Sequence, residues 1–357
     1  ALARLRALRG TLVAAALAGA AVVAAWLLFT RYGTWLWSAA PVLSVALAWA
    51  GSTAVLETDE AREKARIRRM FQQYVPPAVV RELIHRPELL ALGGEERVAT
   101  ILFSDVQGFS RVAEGLAPTA LVALLNEYLT VMTDVVVEHG GVIDKYLGDS
   151  MMAEFGVPVP LPDHAVAACC AALRMRDELR RLREEWIARD LPALHARIGI
   201  NTGRVLVGNL GSFRMMDYTC MGDHVNLASR LEGVNKEYHT EILVSEFTWQ
   251  AVQDRFIARE IDRVRVVGRG KPCAVYELIA TKEQGIDERT AALLTRFAEA
   301  LALCRDRRFT PALEAFESLA ADYPDDGPTA VYLDRSRKNA ILPPPADWDG
   351  VFQLASK

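Results

Sequence analysis

Two uncharged apolar stretches open the chain, residues 11–30 (TLVAAALAGAAVVAAWLLFT) and residues 34–56 (TWLWSAAPVLSVALAWAGSTAVL). Each is long enough for a helix to cross a hydrocarbon layer, and neither has the shorter apolar run and small-residue cleavage site of a secretory signal. They predict a membrane anchor over residues 1–56 with two transmembrane helices. Arg4, Arg6 and Arg9 precede the first span, Arg62, Lys64, Arg66, Arg68 and Arg69 follow the second, and Arg31 alone stands between them. Positive charge collects on the cytoplasmic side. The expected location is therefore the cell inner (plasma) membrane, multi-pass and in contact with lipid, with the chain after residue 56 in the cytoplasm. Trp26, Trp35 and Trp37 fall near the far-side ends of the spans, where indole rings favour the interface.

The pattern then changes. Residues 57–73 (ETDEAREKARIRRMFQQ) are densely charged good helix formers, and Pro76-Pro77 stops the run. With the short helix expected in AVVRELIHR, they make a helical connector over residues 57–92. From residue 93 to residue 282, strand-like and helix-like runs alternate. RVATILFSD reads as a buried strand; PTALVALLNEYLTVMTDVVVEHG has helical spacing and ends at Gly140-Gly141. VIDKYLGDSMMAEFG reads as two strands about Gly148-Asp149, DHAVAACCAALRMRDELRRLREEW as a second long helix, and ARIGINTGRVLVGNLG as another pair of strands about Gly203. This order predicts an α+β domain, the ferredoxin-like βαββαβ superfold with extra strands. Over residues 283–357, DERTAALLTRFAEALALCRDRR and TPALEAFESLAADYPDD predict a tetratricopeptide-like helical hairpin, followed by an irregular proline-rich tail.

Charge narrows the partners. The 45 acidic and 41 basic residues leave a net charge of −4, without the basic field that nucleic acid would require. The five cysteines lack zinc-site or redox spacing and read as reduced thiols; the six histidines show no metal-ligand spacing either.

Candidate chemistry begins with two aspartates. Asp105 closes an apolar strand, and Asp149 occupies the turn of the next hairpin, whose strand should pair beside the first. Two carboxylates then meet at one sheet edge, and hard cations such as magnesium take few protein oxygens, completing their shell with phosphates and water. Asn226 and Arg230 stand four apart on an expected helix and so share a face.

Four strings resemble, in order and spacing, the consecutive signatures of the class III adenylate and guanylate cyclase catalytic domain: FSDVQGFS (103–110), DKYLGDSMMAEFG (144–156), GINTGRVLVGNLGS (199–212) and MGDHVNLASRLEG (221–233). The resemblance implies two divalent metal ions, Mg²⁺ or Mn²⁺, on Asp105, Asp149 and the Val106 carbonyl, with Gly108 and Phe109 in the same turn against the substrate. It implies that Asn226 orients a ribose and that Arg230 stabilises charge on the α-phosphate. Arg269, between Gly268 and Gly270, matches a position where the family usually has a phosphate-binding lysine; arginine keeps the charge but replaces a point with a fork.

Base choice rests on two further positions. Lys145 stands where the family's adenine-recognising lysine stands, and guanylate cyclases have glutamate there. Thr219, three residues before Gly222, replaces the Asp of many adenylate cyclases and the Cys of guanylate cyclases, and it resembles one bacterial subgroup of adenylate cyclases. The function implied is adenylate cyclase, converting ATP to 3′,5′-cyclic AMP and pyrophosphate in membrane-linked signalling. In this family the metal carboxylates come from one subunit and Lys145, Thr219, Asn226, Arg230 and Arg269 from the other, so a homodimer with two equivalent sites is expected. A guanylate cyclase and a catalytically inactive cyclase-like adaptor are the alternatives. The N-terminal part also resembles bacterial cyclases with an extracellular CHASE-type sensor, which would lie upstream of Ala1.

Overall fold

The computed structural model describes residues 2–33, 37, 39–51, 62, 92–265, 272–345, 348 and 350–353. Arg269 and nearly all of the connector expected over residues 57–92 lie outside the described residues, as does the helix expected in AVVRELIHR. The chain divides into two units, Ala1–Val75 and Pro76–Lys357. In the first, α1 runs over Leu2–Tyr32, and its Gly10–Tyr32 part is long and apolar enough to cross a membrane. A second apolar helix, α2 (Ala39–Gly51), is shorter than the span expected over residues 34–56, whose remaining residues other than 37 are not described. Pro41 sits in the first turn of α2, where its missing N–H costs nothing. The Thr30 hydroxyl returns its proton to the Trp26 carbonyl at 3.0 Å, and Ser44 to Ala40 at 2.9 Å, so both hydroxyls are satisfied within their own helices.

The second unit is built on one sheet of nine strands among the described residues. Its first part runs β1 (Gly93–Val106), α3 (Phe109–Gly115), α4 (Pro118–Glu138), β2 (Val142–Leu147), β3 (Ser150–Phe155), α5 (His164–Ala188) and β4 (Ala196–Ser212). These strands lie in the order β2-β3-β1-β4, every pair antiparallel, which is the ferredoxin-like arrangement. Helices α4 and α5 cover one face and bury Tyr128, Met132, Phe155, Met175 and Trp186 against Leu102 and Ile200. On the other face, β5 (Met215–Met221) and α6 (Asp223–Tyr238) close over Ile101, Met152, Val205 and Val207. Covered on both sides, the middle of β1 reads as an apolar run interrupted only by the hydrogen-bonded Thr100 rather than as an alternating one.

ARIGINTGRVLVGNLG is not a pair of strands about Gly203 but one continuous strand, β4, and the hairpin turn falls at Phe213-Arg214. The glycines serve a different purpose: a Cβ on Gly199 would lie 2.2 Å from the Glu232 amide of α6, and one on Gly203 would lie 2.1 Å from the His224 ring. They let α6 lie directly on the strand, and this close approach fixes where α6 carries its side chains.

The sheet continues through β6 (Ile242–Ser245), α7 (Glu246–Val252), β7 (Phe256–Arg265) and β8 (Cys273–Thr281). Three helices follow, α8 (Glu288–Arg305), α9 (Phe309–Asp322) and α10 (Gly327–Ile341), where a two-helix hairpin was expected. The third, GPTAVYLDRSRKNAI, hides its helical character because its buried positions include Thr329 and Ser336 as well as Tyr332. Tyr332 stacks on Phe316 and meets Phe297 edge-on, and its hydroxyl donates to the Ile261 carbonyl at 2.9 Å. The expected irregular tail also contributes a short strand, β9 (Phe352–Gln353), parallel to β7.

Candidate active site

Register places the first group of residues. β1 pairs with β3 from Thr100↔Phe155 to Ser104↔Met151, so Asp105 arrives beside Ser150 and the Gly148-Asp149 turn. The Ser150 hydroxyl donates to Asp105 Oδ1. Across the other edge of β1, Asp105 faces Arg197 of β4, which donates from Nη2 to Oδ2 at 2.8 Å. Arg197 Nε also lies 2.8 Å from Glu232 Oε1 on α6, a charge contact without hydrogen-bond alignment.

Burial pushes the Asp149 carboxyl up, and the Asp105 charge adds to the effect while Arg197 opposes it. Burial likewise pushes Glu232 up to about 7. Beneath them the buried Tyr128 hydroxyl lies 3.1 Å from Ser104 Oγ; its acidity is suppressed by burial first and then by Asp105, Asp149 and Glu232. Three carboxyl groups thus share one field with a single guanidinium among them. Such an excess of negative charge attracts a cation, and each Asp105 oxygen keeps a lone pair beyond the bond it already accepts.

The turn after Asp105 is fixed by backbone. The Gln107 amide donates to the His195 carbonyl at 2.7 Å, and Gly108 takes φ +68°, a conformation that side chains disfavour, before Phe109 opens α3 and packs on the core. Beside this turn is a cavity of about 710 Å³ whose lining includes Gln107, Arg111, His195, Arg197 and Lys236. Its cationic rim suits phosphate oxygens. Among the described residues no three His, Cys, Asp or Glu side chains form a closed metal cage. Two carboxylates and a backbone carbonyl fit a magnesium-like ion, which retains water and takes substrate oxygens.

A second group gathers where β5 crosses β2 and β3. Lys145 on β2 pairs with Asp217 on β5, and its ammonium lies 3.5 Å from Asp144 Oδ1. Thr219, two residues on from Asp217 and so on the same strand face, donates its hydroxyl to Asp144 Oδ2 at 2.5 Å. The alternate residue Cys220 enters the core, and its amide donates to Glu154 Oε1 at 3.0 Å. Asp144 is raised by burial, against the pull of Thr219 and Lys145. Burial and the Asp144 charge push Glu154 well above the usual carboxylate range.

The structure therefore brings Lys145 and Thr219 together. Among the described residues, no hydrogen bond or ion pair joins them directly to Asp105 or Asp149. Asn226 and Arg230 are exposed one turn apart on α6. Arg197, Glu232, Asp144 and Glu154 were missed from the sequence. The signal for Glu154 was an acid inside the apolar strand MMAEF; for Arg197 it was a cation opening the apolar run RIGI.

The sequence profile of the adenylate and guanylate cyclase catalytic domain matches residues 94–279, and the chain belongs to that family. Adenylate cyclase 1 of Rhizobium meliloti is 35% identical over 209 residues, covering 58% of this chain and 31% of that protein. The adenylate cyclase of Anabaena cylindrica is 33% identical over 219 residues, covering 59% and 43%. The match thus spans less than half the length of these relatives. Among solved structures, the adenylyl cyclase CyaB from P. aeruginosa is 38% identical with a TM-score of 0.50, covering 53% of this chain and 96% of that one. The guanylyl cyclase Cya2 is 36% identical, also with a TM-score of 0.50, covering 53% and 95%. The family is settled by these matches; cyclases of both base specificities resemble this chain.

Proposed function

We propose that this chain is a membrane-anchored adenylate cyclase that forms 3′,5′-cyclic AMP and pyrophosphate from ATP at the interface of a homodimer. The observation that carries the reading is the meeting of Asp105 and Asp149 at neighbouring strand ends, in one field with Arg197 and beside a cationic cavity. Two divalent ions, Mg²⁺ or Mn²⁺, held by Asp105, Asp149 and the Val106 carbonyl, would supply Lewis-acid activation of the ribose 3′-hydroxyl and neutralise the triphosphate. Arg197 holds Asp105 in place and, with Arg111 and Lys236, offers charge to the phosphates. Asn226 orients the ribose, Arg230 stabilises charge that grows on the α-phosphate, and Arg269 contacts the terminal phosphates. The 3′-oxygen attacks the α-phosphorus in line, and the bond to the β-phosphate oxygen breaks.

Lys145 donates to adenine N1 and Thr219 accepts from the adenine amino group, which favours ATP over GTP. The dimer reading draws on a surface feature. The β4–β5 turn holds Phe213 at 89% exposure and Met215 at 80%, an apolar tip suited to a second copy of the chain. The apolar Gly10–Tyr32 and Ala39–Gly51 helices support membrane anchoring.

The test is an assay of purified protein with ATP or GTP and either metal, followed by mixing Asp149→Ala with Arg230→Ala chains. Each variant alone should be inactive, and the mixture should regain one intact site per mixed dimer. Mixed dimers that form without any recovery would refute the shared site; cyclic GMP as the main product would refute the base assignment.

A further inference from the structure

A lysine by itself separates adenine from guanine weakly. Its ammonium only donates, and both bases offer it an acceptor, N1 of adenine or O6 of guanine. Discrimination needs a neighbouring group that accepts and does not donate. A threonine hydroxyl is ambiguous in this respect, since it has one proton and two lone pairs and rotates to suit its partner.

In this structure the ambiguity is removed from behind. The Thr219 hydroxyl donates to Asp144 Oδ2 at 2.5 Å, and the Asp144 side chain has no solvent exposure. The arrangement is held at three points between the β2–β3 hairpin and β5. Asp144 accepts from the Thr219 hydroxyl, Glu154 accepts from the Cys220 amide at 3.0 Å, and Lys145 donates to Asp217. Asp144 Oδ1 lies 3.5 Å from Lys145 Nζ, so the same buried carboxylate also stands behind the ammonium.

We infer that Asp144 is a positioning residue for base selection: it takes the only proton of the Thr219 hydroxyl and thereby turns the lone pairs of that hydroxyl toward the nucleobase. Adenine presents an amino group to those lone pairs. Guanine presents the O6 carbonyl, and two acceptors then face each other without a proton. The inference rests on the proposed reading that Lys145 and Thr219 flank the base. It adds that the selectivity of Thr219 is set by a residue that never touches the nucleotide.

Asp144→Asn tests it with almost no change of volume. The Lys145 ammonium beside Oδ1 draws the amide oxygen to itself and leaves the amide NH₂ facing Thr219. That NH₂ donates to Thr219 Oγ1, and the hydroxyl proton is released toward the base. The full-length protein is given ATP and GTP in competition, with cyclic AMP and cyclic GMP both scored, alongside Thr219→Val and Thr219→Ser. The kcat/KM ratio for ATP over GTP should fall about tenfold or more in Asp144→Asn, the worth of one reversed hydrogen bond. It should fall also in Thr219→Val and survive in Thr219→Ser, and Asp144→Asn should have no further effect on the ratio in a Thr219→Val background. A merely structural role would lower both turnovers together and leave the ratio alone, which overturns the inference while the base reading stands. An unchanged ratio in Thr219→Val overturns the base reading and the inference with it.

Discussion

The two halves of the candidate site sit on one sheet but are built on opposite principles. The Asp105–Asp149 edge is a concentration of charge. Asp105, Asp149 and Glu232 share Arg197, and Asp149 and Glu232 both resist ionisation. The Lys145–Thr219 edge is a set of directed bonds over buried carboxyls, with Asp144 and Glu154 engaged by Thr219 and by the Cys220 amide. Charge tolerates small displacements because it falls off slowly with distance, whereas a hydrogen bond is lost within a few tenths of an ångström and a few tens of degrees. On the proposed reading, the first edge therefore serves rate and the second selection.

The largest effect should come from breaking the first edge. Replacing Asp105 or Asp149 by alanine is expected to lower cyclic AMP formation by about a thousandfold or more, because the proposed metal ligands supply several kcal/mol of transition-state stabilisation. The ratio of ATP to GTP turnover should stay where it was. Asp149→Ala should also leave the melting temperature unchanged or raise it, since an acid already disfavoured by burial and by Asp105 is removed. Residual activity near that of the unchanged protein would sink the metal assignment; a clear drop in melting temperature would show the pair to be structural.

The second edge should respond in the opposite manner. Lys145→Glu exchanges a donor for an acceptor beside Asp144 and Asp217, and it is expected to cut the ATP preference by about tenfold to a hundredfold, with a smaller loss of total turnover. Competition between the two nucleotides measures it. If selectivity is retained while total turnover falls as far as in the aspartate variants, the division between the two edges is wrong.

How much of this could be read from the residues follows the same line. The ferredoxin-like order was legible because strand and helix periods alternate cleanly from β1 to β4, and the approach of the Gly148-Asp149 turn to Asp105 was legible because the β2–β3 hairpin is expected to pair beside β1. β4 was misread because Gly199 and Gly203 look like turn formers, while their actual task is to admit the backbone and the His224 ring of α6. α10 was missed because a helix whose buried positions include Thr329 and Ser336 gives a weak apolar stripe. Asp144 and Glu154 were overlooked for a related reason. Asp144, next to Lys145 in a strand, reads as a solvated charge, Glu154 is a lone acid in the apolar strand MMAEF, and only the crossing of β5, a contact far away in sequence, shows that both are covered.

The smallest effect tests that covered layer directly. Glu154 is 2% exposed and its carboxyl is pushed from 4.5 to about 8, by burial first and by Asp144 next. An acid that holds its proton more tightly when folded releases it on unfolding, so its contribution to stability shrinks as pH rises between those two values, by at most about 1.4 kcal/mol per pH unit. Glu154→Gln imitates the protonated form at every pH: its amide oxygen can still accept from the Cys220 amide, and its NH₂ can face Asp144. The stability of the variant relative to the unchanged protein should therefore grow from about pH 5 to about pH 8, read as the difference between denaturant midpoints at a common slope. A difference independent of pH over that range would mean that Glu154 ionises like a surface acid. The second edge would then be another charge cluster rather than a bonded one, and its contrast with the Asp105–Asp149 edge would disappear.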